Sequence, residues 1–402
     1  MLSTMQQEIS TGRSVGHEPI KVLQVVRAVP GGGADKWLLE VTRLIDHRLI
    51  QVDFCALWPP SPGFCGEVEA QGGRVFLCPF STNLATFPLR FRRILRTERY
   101  AVVHSHVGLP SGVVLRQANL EGVAGRIAHS HNSDDLNPHS PIRNAWRAAM
   151  RAGIRKYATA GLAVSVKAGE FLFGAHWRSD PRFRVFHCGI NLEPFRTAPS
   201  REEVRRELGI PVDAPVVGHV GQFVERKNHA FLLKVAREIL KPRPEVCFLM
   251  VGEGPLRPQI AALAQEFGIE KNVVFTGQRS DVPRLMLSAM DAFVLPSTEE
   301  GFGIVLTEAQ AAGLRCLASD VVPNETGVVP GAVEYLTLSE GAKPWAARLL
   351  KMLDSGLVGR EKALRALEQS DFNIRRSCAD LSRMYELWPG AQRGLTAGVR
   401  AG

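Results

Sequence analysis

Glu300 and Glu308 stand on either side of a glycine-rich turn that runs into a helix-forming stretch. The run is Pro296-Ser297-Thr298-Glu299-Glu300-Gly301-Phe302-Gly303-Ile304-Val305-Leu306-Thr307-Glu308-Ala309-Gln310-Ala311-Ala312-Gly313. Before it, Asp291 to Leu295 is short, apolar and ended by a proline, so it reads as a buried strand. After it, Ile304 to Ala312 reads as a helix with Gly313 in the C-terminal capping position. A strand, a glycine turn and a helix N-terminus form an anion site, because unpaired N–H groups and the helix dipole point at one spot. Two carboxylates beside that spot suit a ligand with hydroxyls as well as phosphates, since each accepts charge-assisted hydrogen bonds. Alone, two glutamates at this spacing describe a solvated surface. The preceding strand and the intervening glycines single them out.

Such a turn needs a sheet to hold it, and both halves of the chain supply strands. Lys21–Val26, Val52–Leu57, Arg74–Leu77, Val102–His104, Arg126–Ala128 and Leu162–Ser165 alternate with helix-length segments, the pattern of a parallel sheet covered on both faces. The first strand leads to Gly31-Gly32-Gly33, where a phosphate could approach the backbone or a strand could simply turn into a helix. The G-x-G-x-x-G spacing of a dinucleotide site is missing. His104-Ser105-His106 and His129-Ser130-His131 both fall at strand C-terminal ends, where such sheets bind ligands. Alternate strand residues point the same way, so each pair presents two imidazoles. A zinc cluster lacks a nearby cysteine to complete a tetrahedral set, so hydrogen-bonding histidines at a cleft edge are expected, and no metal. In the second half, strands are expected from Val216, Phe248 and Val273, with Lys227 after the first, Gly254 after the second and Arg279 after the third. Asp281 is the expected N-cap of the helix that follows. Trp345–Leu353 and Arg375–Leu387 read as amphipathic helices.

With 402 residues the chain can build two domains, each with its own core. A composition of 45% hydrophobic and 22% charged residues places it among globular proteins. Its seven cysteines are scattered without a C-x-x-C pair, which points to reduced thiols in the cytosol. Residues 1–18 are polar and lack the apolar stretch of a signal peptide or anchor. No apolar run approaches the ~20 residues of a membrane span. Charge is uneven: residues 1–195 carry 23 Lys and Arg against 15 Asp and Glu, whereas residues 196–402 carry 26 against 25. The segment Leu89–Arg99 holds Arg90, Arg92, Arg93, Arg96 and Arg99, and Arg143, Arg147, Arg151 and Arg155 share one helical stripe. No recognisable nucleic-acid motif accompanies them. Solvated helix faces would carry such charge too. Docking on an anionic membrane surface is the sharper expectation.

The run from Pro296 to Gly313 resembles the E-x7-E signature of glycosyltransferase family 4, retaining nucleotide-sugar transferases of GT-B fold. The resemblance extends over about residues 20–388. Phe186 to Phe195 is similar to the family's interdomain segment N-G-I-D-x-x-x-F, with Cys188 in place of the asparagine and Asn191 in place of the aspartate. After Gly218-His219-Val220-Gly221 the family carries an arginine and, five residues on, a lysine; here Lys227 matches but Gln222 replaces the arginine. Arg315 stands where the family usually has proline. Gly218–Gly221, Lys227-Asn228-His229 and Ala128–Asn132 look most like bacterial exopolysaccharide members.

The resemblance implies an α/β protein of two Rossmann-like domains facing each other across a cleft. The expected divisions are a flexible 1–19, an acceptor domain 20–190, a donor domain 191–374, a helix 375–388 returning to the first domain and a flexible tail 389–402. It implies transfer of a sugar, with retention, from a nucleotide-diphosphate sugar to a glycan or lipid-linked acceptor in polysaccharide biosynthesis. Lys227, Glu300 and His106 would be catalytic. The donor would be bound by Gly32, Gly33, Gln222, Arg226, Gly254, Arg279, Gly301, Phe302, Gly303, Ile304 and Glu308. Glu308 would hold the ribose, Glu300 the donor sugar, and the turn at Arg279 would lie by the base. Neither cofactor nor metal is implied, because Lys227 and the helix N-terminus supply the charge. The enzyme would be cytoplasmic, docking on the inner face of the membrane through Arg143, Arg147, Arg151 and Arg155. A sugar-nucleotide epimerase and a catalytically weak binding protein share the fold. Lys227 with the two glutamates favours a transferase, and Gln222 is the clearest departure.

Overall fold

Short apolar runs buried on both faces belong to parallel strands, and both halves of the chain are built from them. The computed structural model describes residues 18–27, 33–79, 86–134 and 140–388. Among these, β1 (Ile20–Val26), β2 (Ile50–Ala56), β3 (Val75–Leu77), β4 (Val102–Ser105), β5 (Gly125–Ser130), β6 (Ala160–Ala163) and β7 (Phe183–Val185) form one sheet. Its order is β3-β2-β1-β4-β5-β6-β7, parallel throughout. A second parallel sheet holds β8 (Val216–Val220), β9 (Cys247–Val251), β10 (Val273–Gly277), β11 (Ala292–Leu295), β12 (Arg315–Ser319) and β13 (Val333–Leu336), in the order β10-β9-β8-β11-β12-β13. In each sheet the order reverses beside the first strand, β1 against β4 and β8 against β11. Loops leaving such a switch point diverge and open a crevice at the strands' C-terminal ends.

Helices α1 (Gly33–Leu44), α2 (Pro62–Ala70), α3 (Thr86–Glu98), α4 (Ser111–Leu120), α5 (Pro141–Tyr157) and α6 (Val166–Phe173) accompany the first sheet. The second has α7 (Arg201–Glu207), α8 (His229–Leu240), α9 (Arg257–Glu266), α10 (Val282–Ser288), α11 (Ile304–Ala311), α12 (Ala342–Ser355) and α13 (Arg360–Glu368). Helix α14 (Ile374–Glu386) returns to the first domain, as expected. It buries Ile374, Cys378, Leu381 and Tyr385, one stripe at helical spacing. Tyr385 Oη accepts from Gln24 Nε2 at 2.9 Å and bonds His104 Nδ1 at 2.8 Å. These are the two Rossmann-like domains that the family resemblance implied.

Strands β7, β12 and β13 were not among the expected ones. Arg315 opens β12, where its guanidinium donates to Gly356 O at 2.9 Å and Gly331 O at 3.2 Å. It ties the strand's start to two loop ends, which gives the unexpected arginine a structural task. Asp281 does stand before α10 but makes no side-chain cap bond. Its carboxylate is taken by Arg279 at 2.8 Å, and charge-assisted pairing of that kind outweighs a neutral amide contact.

Candidate active site

Helix α11 begins at Gly303, whose φ of +81° is the left-handed conformation that glycine adopts without strain. Having no side chain, Gly303 gives the first turn of α11 no side-chain cap, an arrangement that can receive an anion. Glu300, three residues earlier, accepts from Lys227 Nζ and, at 2.8 Å, from Ser297 Oγ. The Lys227 and Glu300 side chains are only 13% and 10% exposed, so this ion pair lies within the cleft and not on an open surface. Lys227 ends a one-turn 3-10 helix, and Thr298 N donates to Arg226 O at 2.8 Å, lashing that turn to the Glu300 loop. A Cβ on Gly221 would come within 3.3 Å of the Lys227 stem, so the bare backbone there gives the lysine its path.

Glu308, on the second turn of α11, is half-buried, and desolvation pushes its carboxyl up to about 7. The opposing influence is Lys36 on α1, which belongs to the other domain. The domains also meet at Gly33, where a Cβ would lie 2.5 Å from Ile304 Cγ2. A Cβ on Gly301 would lie 2.1 Å from His131 O, so only glycine lets the Glu300 loop approach the loop after β5. Ser165 Oγ donates to Gly301 O at 2.7 Å and Ser133 Oγ to Glu300 O at 3.1 Å. Gly33, Gly301, Gly303, Ile304, Glu300, Lys227 and Glu308 are thus gathered at one cleft. Gly32 lies outside the described residues.

Other expected site residues have different surroundings. Phe302 is buried in an aromatic stack with His187 and Phe372, so its side chain is a packing element. Gly254 is required by packing as well, since a Cβ there would meet Phe223 O at 2.6 Å and Phe223 N at 2.7 Å. Arg279 is held by Asp281 and by Glu207, both at 2.8 Å, which commits its charge within its own domain. Gln222 is exposed, and Arg226 contributes its backbone carbonyl to the loop pairing.

His106 is built into a relay. Its Nε2 bonds Gln24 Oε1 and its Nδ1 bonds His131 Nε2, both at 2.8 Å, so both ring nitrogens are engaged. Burial holds His106 well below the usual imidazole range and His131 at about 4, keeping both neutral. Cys188, which the sequence could not place near the histidines, lies with its Sγ 3.9 Å from His131 Nδ1.

The model for "Glycosyltransferase Family 4" matches residues 31–194 and that for "Glycosyl transferases group 1" matches residues 200–369. "Putative glycosyltransferase EpsF" of Bacillus subtilis (strain 168) is 31% identical over 371 residues, covering 91% of this chain and 96% of that protein. The chain belongs to glycosyltransferase family 4. The capsular polysaccharide biosynthesis glycosyltransferase CapH of Staphylococcus aureus is 25% identical, over 91% of this transferase and 98% of CapH. Among solved structures, Anabaena Alr3699/HepE in complex with UDP-glucose superposes with a TM-score of 0.73 at 19% identity, over 91% of the transferase and 99% of HepE.

The arginine stripe of the transferase is corrected by the structure. Arg143, Arg147, Arg151 and Arg155 do share a face of α5, but that face is only partly turned to solvent. Arg147 is 4% exposed and donates to Asn144 Oδ1 at 3.1 Å. Arg151 Nε donates to Phe171 O at 2.9 Å, Arg143 lies over the Trp146 ring, and only Arg155 of the four is fully exposed. Helical spacing put them together; packing against α6 drew them inward. Ser133, Asp134, Asn144, Arg147, Arg151 and Phe171 line a recess of ≈350 Å³, adjoining the cleft through the Ser133–Glu300 bond. A recess of ≈390 Å³ along Pro194, Thr197 and Pro199 shares no residue with the Glu300 site. Sequence reasoning also missed Ser297 and Lys36. Ser297 was legible inside the motif as a hydroxyl three residues before Glu300, whereas Lys36 meets Glu308 only through domain contact.

Proposed function

We propose that the protein moves a hexosyl group from a nucleotide-diphosphate sugar to a glycan or lipid-linked acceptor in polysaccharide biosynthesis. The carrying observation is the half-buried Lys227–Glu300 pair beside the N-terminus of α11, which has no side-chain cap, with Glu308 further along the same helix. Lys227 and the α11 amides stabilise charge building on the departing diphosphate, which makes a divalent ion there unnecessary. The bond between the anomeric carbon and the phosphate oxygen breaks, and one to the acceptor oxygen forms on the same face, giving retention. The acceptor's proton goes to the leaving phosphate. Glu300 orients the donor sugar, and Glu308 accepts from ribose hydroxyls. His106 exchanges its Gln24 bond for a sugar hydroxyl.

The role of CapH in capsular polysaccharide biosynthesis and the UDP-glucose complex of HepE support a nucleotide-sugar donor and a polysaccharide product. The recess lined by Arg147 and Arg151 is the proposed acceptor entrance. The membrane-facing surface then falls to α3, whose Arg90, Arg93, Arg96 and Arg99 neighbourhood is exposed together with Leu89. The test is incubation with a panel of nucleotide sugars and an acceptor glycan, with and without chelator. Release of nucleoside diphosphate with an unchanged anomeric configuration in the product is expected. No release with any sugar, or dependence on added divalent ion, would remove this reading.

A further inference from the structure

We propose that His129, His131 and Cys188 hold one zinc-class transition-metal ion behind the cleft. The three donor atoms lie within 4.8 Å of one another. The His131 Nδ1 to Cys188 Sγ separation of 3.9 Å is close to the roughly 3.6 Å expected between two ligands on a tetrahedral zinc, with Zn–N near 2.0 Å and Zn–S near 2.3 Å. His129 supplies the independent observation: its ring is fully buried, and neither nitrogen has a hydrogen-bond partner among the described residues. A buried polar atom without a partner is costly, and a metal bond answers that cost.

The hydrogen-bond relay selects this trio. Gln24 donates through Nε2 to Tyr385, so its Oε1 must accept from His106 Nε2–H. Neutral His106 then accepts at Nδ1, which makes His131 Nε2 the donor between them. A neutral His131 that donates from Nε2 carries its lone pair on Nδ1, the nitrogen facing Cys188. The overlapping set of His104, His106 and His129 is less suited, because both nitrogens of His106 are already used. Trp37 and Phe186 present ring edges to His129 at 5.6 and 5.8 Å, walling the site with apolar surface. Binding replaces the Cys188 S–H bond by a metal–sulfur bond and releases one proton to solvent. No redox change is involved. Cys188 also stands where the resembled interdomain segment carries asparagine. The ion would fix the tautomers of His131 and His106, a positioning task distinct from any charge on the donor diphosphate.

The test uses the full-length protein, stripped with chelator and titrated with Co(II) as the spectroscopic probe, then with Zn(II). One equivalent should bind, with water as the fourth ligand, giving intense visible bands of tetrahedral cobalt and a near-ultraviolet thiolate charge-transfer band, both bleached by Zn(II). Cys188→Ser should lose the charge-transfer band and weaken binding by more than roughly tenfold, since even partners that merely orient a ligand are worth that much. Circular dichroism and a thermal melt establish that the variant folds. Should it not, X-ray absorption at the zinc edge of the wild-type protein counts the sulfur and nitrogen neighbours directly. Folded protein that binds no Co(II), a charge-transfer band that survives Cys188→Ser, or a sulfur-free zinc shell would each overturn the proposal. Those results would leave an S–H to imidazole hydrogen bond beside a core histidine.

Discussion

Glu308 carries a proton about half the time near neutrality, because burial pushes its carboxyl from 4.5 to about 7. Sugar hydroxyls donate best to the ionised form, so binding below pH 7 must first expel that proton. Donor affinity should therefore rise from pH 6 to pH 8, by up to about tenfold per unit below the pKa. A nucleotide sugar is the right probe, since its bridging diphosphate does not titrate there. In Glu308→Gln, calorimetry should show a flat profile and an affinity lower by about 1.5–3 kcal/mol at pH 8. The folded state also takes up a proton between pH 4.5 and 7, so stability falls as pH rises through that window, and the variant should not show this fall. Lys227 acts at a different stage. Lys227→Ala should reduce turnover at saturating donor more than it weakens binding, because charge on the diphosphate is greatest as the bond breaks. Normal turnover would remove Lys227 from the phosphate. Gln222→Arg is the companion variant, and a gain in activity would identify the exposed glutamine as a handicap.

Among the elements, turns that look alike in sequence perform different tasks. Gly303 starts α11 in the left-handed conformation and Gly301 lets two domains touch, whereas Gly254 is fixed by the Phe223 backbone packed against it. Gly254→Ala should therefore destabilise the protein by about 1–3 kcal/mol, as overpacking does. Scanning calorimetry should show the midpoint lowered by roughly 2–4 °C for each kcal/mol. An unchanged melt with lost donor binding would instead make Gly254 a ligand contact. Helix α5 teaches the complementary point. Its four-residue spacing places Arg143, Arg147, Arg151 and Arg155 on one face, and the spacing is indifferent to what packs there.

For the whole molecule, the excess positive charge of the first half is partly paired with carboxylates of the same domain. Arg92 and Arg96 pair with Glu121, and Arg74 pairs with Asp53 and Glu98. What remains outward on the α3 side is Arg90, Arg93 and Arg99 beside Leu89, with Arg96 still well exposed. Each arginine near an anionic surface contributes about 1 kcal/mol, so reversible docking through this face is expected. Co-sedimentation should show binding to anionic but not neutral vesicles. High salt should release it, because screening acts over about 8–10 Å at ordinary ionic strength. Changing Arg90, Arg93, Arg96 and Arg99 to glutamine should abolish it, while changing Arg155 should have little effect. Equal binding to both lipids would leave α3 as a solvated face.

The alternating strands and helices, the E-x7-E turn before α11 and the place of Lys227 were legible in the residues alone. Each rests on local chemistry: apolar periodicity, a left-handed glycine, a cation a few residues past a strand. Tertiary structure decided which of those residues meet. Cys188 comes to His131 across 57 residues of chain, Lys36 faces Glu308 from another domain, and Tyr385 on the last helix completes a relay begun on the first strand. No spacing rule encodes such meetings, because they follow from the order of strands in two sheets and the contact between two domains. The arginines of α5 fail as a surface for the same reason. A helix fixes which side chains share a face, and only the packed molecule decides whether that face sees water.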